Sequence, residues 1–301
     1  MSITVVGSIA FDAVRTPSGE RERMLGGAAT HFALAASFFD TVHVVGPVGD
    51  DFGAGDLAAL ATRGTRTGDV ERIAGGRTFF WRGVYGEDLN TRETLDTQLN
   101  VFAQFAPKLS AAARAAGVLF LANIQPALQA RVLDACDSPR FVALDSMNLW
   151  IETARDALVD VIARIDCLIV NDGELRQLTG RASLLAAARE VLGWGPSLVV
   201  AKQGENGAAL ITRDGSFALP AYPVAHVVDP TGAGDTFAGG FVGYVARHLD
   251  RRDDDEVLRQ AMAYGTALAS FNVEAFGTER MLGLTADEVH ERVGALALTS
   301  A

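Results

Sequence analysis

Two hydrophobic rhythms alternate along this chain, and the switching between them outlines the fold. Short continuous apolar runs at 3–6, 42–45, 118–121, 141–144, 167–170, 198–201 and 207–211 predict strands buried on both faces. Between them lie alanine-rich segments with helical spacing, for example 31–38, 184–192, 236–248 and 257–270. Strand and helix in turn predict a mainly parallel sheet wrapped by crossover helices, a three-layer, doubly wound α/β core.

Two stretches break the rhythm. Residues 10–26 are rich in turn formers, and residues 77–101 open with the alternation Arg77-Thr78-Phe79-Phe80-Trp81-Arg82-Gly83-Val84-Tyr85. Together they predict a small antiparallel lid inserted into one domain spanning 1–301. The charged run 250–256, Asp-Arg-Arg-Asp-Asp-Asp-Glu, reads as a solvated loop or helix start. There is no internal repeat, linker or low-complexity tract.

Composition narrows the function classes. A chain of 301 residues that is 49% hydrophobic suits one large core. A net charge of −11 argues against a nucleic-acid surface, which needs clustered Lys and Arg to displace counterions. Met1 to Gly7 runs straight into an apolar stretch without a basic leader, and the apolar runs fall short of the ~20 residues that span a bilayer. The expectation is a cytoplasmic protein without a membrane partner. Cys136 and Cys167 have no CxxC spacing and read as small buried hydrophobes. Only Lys108 and Lys202 are lysines among 26 basic residues, which makes Lys202 conspicuous near any anion site.

The segment Asp229-Pro230-Thr231-Gly232-Ala233-Gly234-Asp235-Thr236-Phe237-Ala238-Gly239-Gly240-Phe241 carries the chemistry. A glycine turn leads into an apolar helix expected to begin at about Asp235. Gly232 and Gly234 permit unusual dihedrals, so consecutive N–H groups can line one concavity at a helix N-terminus, an anion site that needs no lysine. On spacing alone, Asp235 is either a helix cap stabilised by the dipole or a base beside a phosphate cradle.

This string resembles the C-terminal signature of the PfkB family of carbohydrate and nucleoside kinases, the ribokinase-like group. The resemblance implies that Asp235 is the catalytic base and that the amides of Gly232, Ala233 and Gly234 form an anion hole. Other segments match in order. Gly7-Ser8-Ile9-Ala10-Phe11-Asp12 resembles the family's first strand and turn, which implies that Asp12 binds acceptor hydroxyls. Gly26-Gly27-Ala28-Ala29-Thr30-His31 resembles the di-glycine motif, with His31 where many members have Asn. Val44-Val45-Gly46-Pro47-Val48-Gly49-Asp50 matches a structural stretch. Asn171-Asp172-Gly173-Glu174 resembles the N-x-x-E motif, which implies that Asn171 and Glu174 hold hydrated Mg²⁺. Asp145-Ser146-Met147-Asn148 resembles a phosphate-side loop, a weaker match. Lys202-Gln203-Gly204-Glu205-Asn206-Gly207 resembles the turn that borders the nucleotide, placing Lys202, Gly204 and Gly207 near ATP beside Asp229 and Thr231. Ala275-Phe276-Gly277-Thr278 resembles the segment closing over adenine.

The polar stretch 85–100 would then face the acceptor, with Arg92 meeting a polar or anionic group. The resemblance implies transfer of the ATP γ-phosphoryl group, with Mg²⁺, to a sugar or nucleoside; the sequence itself does not disclose whether lids pair to make a homodimer. No GxxxxGK[ST] loop is present, and no GxGxxG follows the first strand, which disfavours P-loop enzymes and dehydrogenases. The alternative is a catalytically silent nucleotide- or sugar-binding sensor, against which the retained Asp235 argues.

Overall fold

A computed structural model describes residues 1–89 and 91–299. Asn90, one of the polar residues expected to face the acceptor, lies outside the described residues. The strands are β1 Ser2–Val6, β2 Ala10–Thr16, β3 Gly19–Gly26, β4 Thr41–Val48, β5 Arg66–Arg72, β6 Phe79–Tyr85, β7 Arg92–Gln98, β8 Val118–Leu121, β9 Phe141–Leu144, β10 Cys167–Asn171, β11 Leu198–Lys202, β12 Ala208–Ile211 and β13 Ser216–Leu219.

Nine of them form the core sheet in the order β13-β12-β11-β10-β9-β8-β1-β4-β5. The pairings from β11 to β5 are parallel, and β12 and β13 extend that sheet antiparallel. Every residue of β8 and β9 is buried, because helices cover both faces. One face carries helices Ala28–Ala36, Ala233–Arg247 and Asp255–Asn272, and the other carries helices such as Asp172–Thr179 and Leu184–Trp194. Helix Ala233–Arg247 sits unusually close to its neighbours. A Cβ on Gly239 would come 2.3 Å from the Phe32 carbonyl oxygen, so only glycine allows that approach.

The order of the core sheet fixes where chemistry can gather. Sequential strands β8 to β11 step away from β1 in one direction while β4 and β5 lie on its other side. In such sheets the crevice for ligands opens at the carboxyl ends of the strands. Asp145 follows β9 directly, Asn171 ends β10 and Lys202 ends β11, with Asn171 and Lys202 in register.

The lid is a second, four-stranded sheet in the order β3-β2-β6-β7. It corrects one expectation: the outer pairs are antiparallel, but the central pair β2 and β6 is parallel. The reason is topological, since both strands set out from the carboxyl-end edge of the core, β2 after β1 and β6 after β5. Two further differences are local. Cys167 is buried, but Cys136 is only half-buried because it lies at the C-terminal end of helix Pro126–Ala135. The charged run begins as a short 3₁₀ turn at Leu249–Arg251 before helix Asp255–Asn272. Among the described residues, no helix is long and apolar enough to cross a membrane.

Candidate active site

The glycine turn and the helix after it form the centre of the crevice. The helix starts at Ala233, two residues earlier than expected, and Gly232 is its N-cap in a left-handed conformation, φ 76° and ψ 0°. First-turn amides of a helix have no carbonyl partner within it, so that of Gly234 is placed for an anion. The Ala233 amide lies 3.2 Å from the Pro230 carbonyl oxygen and is engaged within the turn. Asp235 stands on the first turn with its own amide bonded to its carboxylate, and its pKa is raised to about 7 by burial and by Asp145, with Lys202 opposing.

Around Asp235 the core strands deliver a charged cluster. Lys202 Nζ lies 3.0 Å from Asp145 Oδ2. Burial works to lower the lysine's pKa, but Asp145, Glu174 and Asp235 together carry it above the ordinary value. Asn171 and Glu174 form a reciprocal cap at helix Asp172–Thr179: Asn171 Oδ1 accepts from the Glu174 amide at 2.7 Å, and Glu174 Oε2 accepts from the Asn171 amide at 2.9 Å. Glu174 is pushed up to about 7, first by burial and then by Asp145. Three carboxylates facing one ammonium leave excess negative charge, which fits a divalent cation, and the capping bond leaves Glu174 Oε1 free of that role. Among the described residues, no group of three His, Cys, Asp or Glu side chains could hold an ion unaided. That suits a hydrated Mg²⁺, which takes one or two carboxylates and shares the rest with water and phosphate.

On one side of the turn, a largely apolar cavity of about 510 Å³ is walled by Tyr222, Pro223, Val227, Phe237, Ala269 and Val273. Gly204, Gly207 and Ala233 also border it, so it adjoins the anion turn. Phe276 and Gly277 are not in this wall. Phe276 is buried beneath the lid with Val14 and Tyr85, and Arg21 lies over its ring at 4.7 Å. The Gly277 amide donates to Asp229 Oδ2 at 3.0 Å. Asp229 is fully buried and also accepts from the Thr231 amide at 2.9 Å, so it ties the two loops together.

On the other side stands the lid. Asp12 on β2 is 6% exposed, and its pKa rises to about 7 through burial and the nearby Asp229, with the Gly27 amide bonding to it. Gly26 is required here, since a Cβ would come 1.9 Å from Asp12 Oδ2. Arg92 lies over Trp81, 5.3 Å from the ring centroid, and its charge acts on both Asp12 and Glu174. The Tyr85 hydroxyl lies 3.2 Å from Thr231 Oγ1, linking lid to turn. His31, expected beside the acceptor, is 1% exposed, with Nδ1 3.1 Å from Asn272 Oδ1. Asp12, Asp235, Lys202, Glu174 and Arg92 thus converge, whereas Phe276, Gly277 and Asp229 serve the loops around them.

Sequence reasoning gave little weight to Asp145 and none to Trp81, Tyr222 or Asn272. Asp145 had a readable signal, a carboxylate directly after the apolar run 141–144. Asn272 had none, being a polar residue at the end of a buried helix.

The solved structures similar to this fold include the nucleoside kinase of Methanocaldococcus jannaschii, described as an archaeal member of the ribokinase family, with a TM-score of 0.80, 21% identity and 98% of each chain covered. Arabidopsis thaliana ribokinase, solved with ribose and ATP, gives 0.75 at 24% identity over 97% of this chain and 98% of that one. Both support a ribokinase-like fold. In sequence, the chain is 31% identical over 254 residues to the cytidine kinase of Thermococcus kodakarensis, covering 82% of this chain and 89% of that protein. It is 28% identical to fructokinase-1 of Oryza sativa subsp. japonica, covering 84% and 83%. The model of the pfkB family carbohydrate kinases matches residues 2–283, and with the glycine turn, the buried aspartate and the lid in place, the chain belongs to that family.

Proposed function

We propose that this enzyme transfers the γ-phosphoryl group of ATP to a hydroxyl of a neutral nucleoside, with Asp235 as general base. One observation carries the reading: a half-buried carboxylate, its pKa raised to about 7, stands at the anion turn between the apolar cavity and the lid. A base poised near neutral pH matches the task of taking a proton from an alcohol. The nucleotide base would occupy the cavity beside Tyr222 and Phe237, and its phosphates would run along the turn. The acceptor would lie beneath the lid against Asp12, with Trp81 available to stack on a base and Arg92 on its polar edge. The names of the nucleoside and cytidine kinases to which the chain is similar support the nucleoside over the free sugar.

In the reaction, the acceptor oxygen forms a bond to the γ-phosphorus while the bond to the β,γ-bridging oxygen breaks. ADP departs and the hydroxyl proton passes to Asp235. The Gly234 amide and the positive end of the helix that starts there meet charge on the equatorial oxygens, as preorganised dipoles that need no reorientation. Glu174, Asn171 and Asp145 would hold hydrated Mg²⁺, which neutralises phosphate charge when bound. Asp12 orients the acceptor.

The test is ADP release measured against a panel of nucleosides, pentoses and hexoses with ATP and Mg²⁺, together with Trp81→Ala. Acceptor-dependent release highest with a nucleoside, and a raised acceptor KM in the variant, would support the reading. A sugar phosphate as best acceptor would overturn the neutral-acceptor reading, and no acceptor-dependent release would overturn the kinase reading.

A further inference from the structure

Helix Ala28–Ala36 begins directly beneath the anion turn. A Cβ built on Gly232 would lie 2.4 Å from Cγ, Cδ2 and Cε1 of His31, so the face of the imidazole is pressed against the Gly232 backbone. No side chain larger than glycine fits above it. The ring is also tethered. Asn272, fully buried, donates through Nδ2 to the Thr231 carbonyl oxygen at 2.8 Å, while its Oδ1 lies 3.1 Å from both His31 Nδ1 and Thr236 Oγ1. Because Nδ2 meets a carbonyl, Oδ1 is the acceptor, and the network assigns the His31 proton to Nδ1.

We infer that His31 and Asn272 are positioning residues that hold the left-handed Gly232 from beneath and so aim the amides of the anion turn. Two neighbours of Gly232 are clamped by one amide: Thr231 before it, through its carbonyl, and Thr236 one helical turn beyond it. The imidazole closes the third side. Burial lowers the His31 pKa to about 4, so the clamp stays neutral and in one tautomer at the pH where the enzyme works. His31 Nε2 has no hydrogen-bond partner among the described residues, which leaves contact with the acceptor as the rival role for this side chain. The inference rests on the kinase reading for its catalytic consequence but not for its structural one.

Three variants separate the roles. His31→Met keeps bulk without a donor, His31→Gln keeps an N–H for Asn272, and Asn272→Ser cuts the chain at its other link. Amide hydrogen exchange of residues 232–236 is measured without any acceptor, so the clamp is tested even if no kinase substrate is found. Expected are exchange about tenfold faster in His31→Met and Asn272→Ser, and kcat lower by roughly 10-fold to 100-fold with acceptor KM unchanged. The double variant should be no worse than the poorer single, and His31→Gln should recover most of the loss. If His31→Met does not fold, Asn272→Ser carries the same expectation. Unchanged exchange overturns the clamp. A raised acceptor KM with kcat intact overturns it too, and assigns His31 Nε2 to the acceptor.

Discussion

Lys202 Nζ and Asp145 Oδ2 stand 3.0 Å apart with side chains only 16% and 7% exposed, so the ends of β11 and β9 are joined by a largely desolvated ion pair. Breaking such a pair at one partner strands the other charge, which costs more than the pair itself contributes. Lys202→Met is therefore expected to lose about 3 to 5 kcal/mol of stability, and Asp145→Asn in the same background to restore a large part. Urea unfolding of the two singles and the double checks this. A loss no larger than that of a surface pair, about 1 kcal/mol or less, would show that water reaches the pair.

Asp235→Asn keeps size and most hydrogen bonding but removes the proposed proton acceptor. Turnover should fall by ~10²-fold to 10⁴-fold, while ATP affinity barely changes and melting temperature does not fall, because burial already disfavours the ionised carboxylate. Steady-state kinetics, nucleotide titration and melting on the same protein decide it. A parental turnover would remove Asp235 from the mechanism, and a joint drop in turnover and melting temperature would make it a cap.

Activity and stability should respond to pH in opposite directions. As the proposed base, Asp235 has to be ionised to accept a proton, so kcat/KM should fall as pH drops below about 7. Asp12, Glu174 and Asp235 all have folded-state pKa values raised to about 7 from 3.8 or 4.5. The folded protein then binds more protons than the unfolded chain between about 4 and 7, and the stabilisation so gained is lost as pH rises through 7. His31, lowered to about 4, and His43, also lowered by burial, oppose, since their contributions are lost as pH falls below 6.5. With three strongly raised carboxylates against two lowered imidazoles, the protein without ligands should melt higher at pH 5.5 than at pH 8. A melting temperature that rises steadily with pH over that interval would contradict the raised pKa values of these carboxylates.

Glu174→Gln retains an oxygen that can accept from the Asn171 amide, so helix Asp172–Thr179 keeps its cap. Only the charge is lost. Half-saturating Mg²⁺ should rise by ~10-fold or more while acceptor KM stays near parental. Equal half-saturation in parent and variant would leave Glu174 a cap without a role in metal binding.

Some of this molecule was determined by sequence alone. The strands at 118–121 and 141–144 are as expected residue for residue, because a parallel strand covered on both faces is apolar at every position. The turn at Gly232 was readable for a similar local reason, as glycine is the residue that accepts its positive φ. Helix limits were less readable: helix Ala28–Ala36 starts three residues before the expected 31, since Ala28 to Thr30 carry no strong stop or start signal. Tertiary structure decided the rest. The parallel pairing of β2 with β6 depends on which edge of the core each strand leaves. Asp145, Asn171 and Lys202 converge only because β9, β10 and β11 are adjacent in the sheet, and the raised pKa of Lys202 follows from the carboxylates that this adjacency sets around it. His31 reads as an acceptor ligand in its motif, yet packing turns its ring under Gly232 and gives its N–H to Asn272, a residue 241 positions away. Periodicity and backbone preference are local properties that one stretch of chain can encode, whereas the company a buried charge or ring keeps is set by the order in which the strands and helices stack.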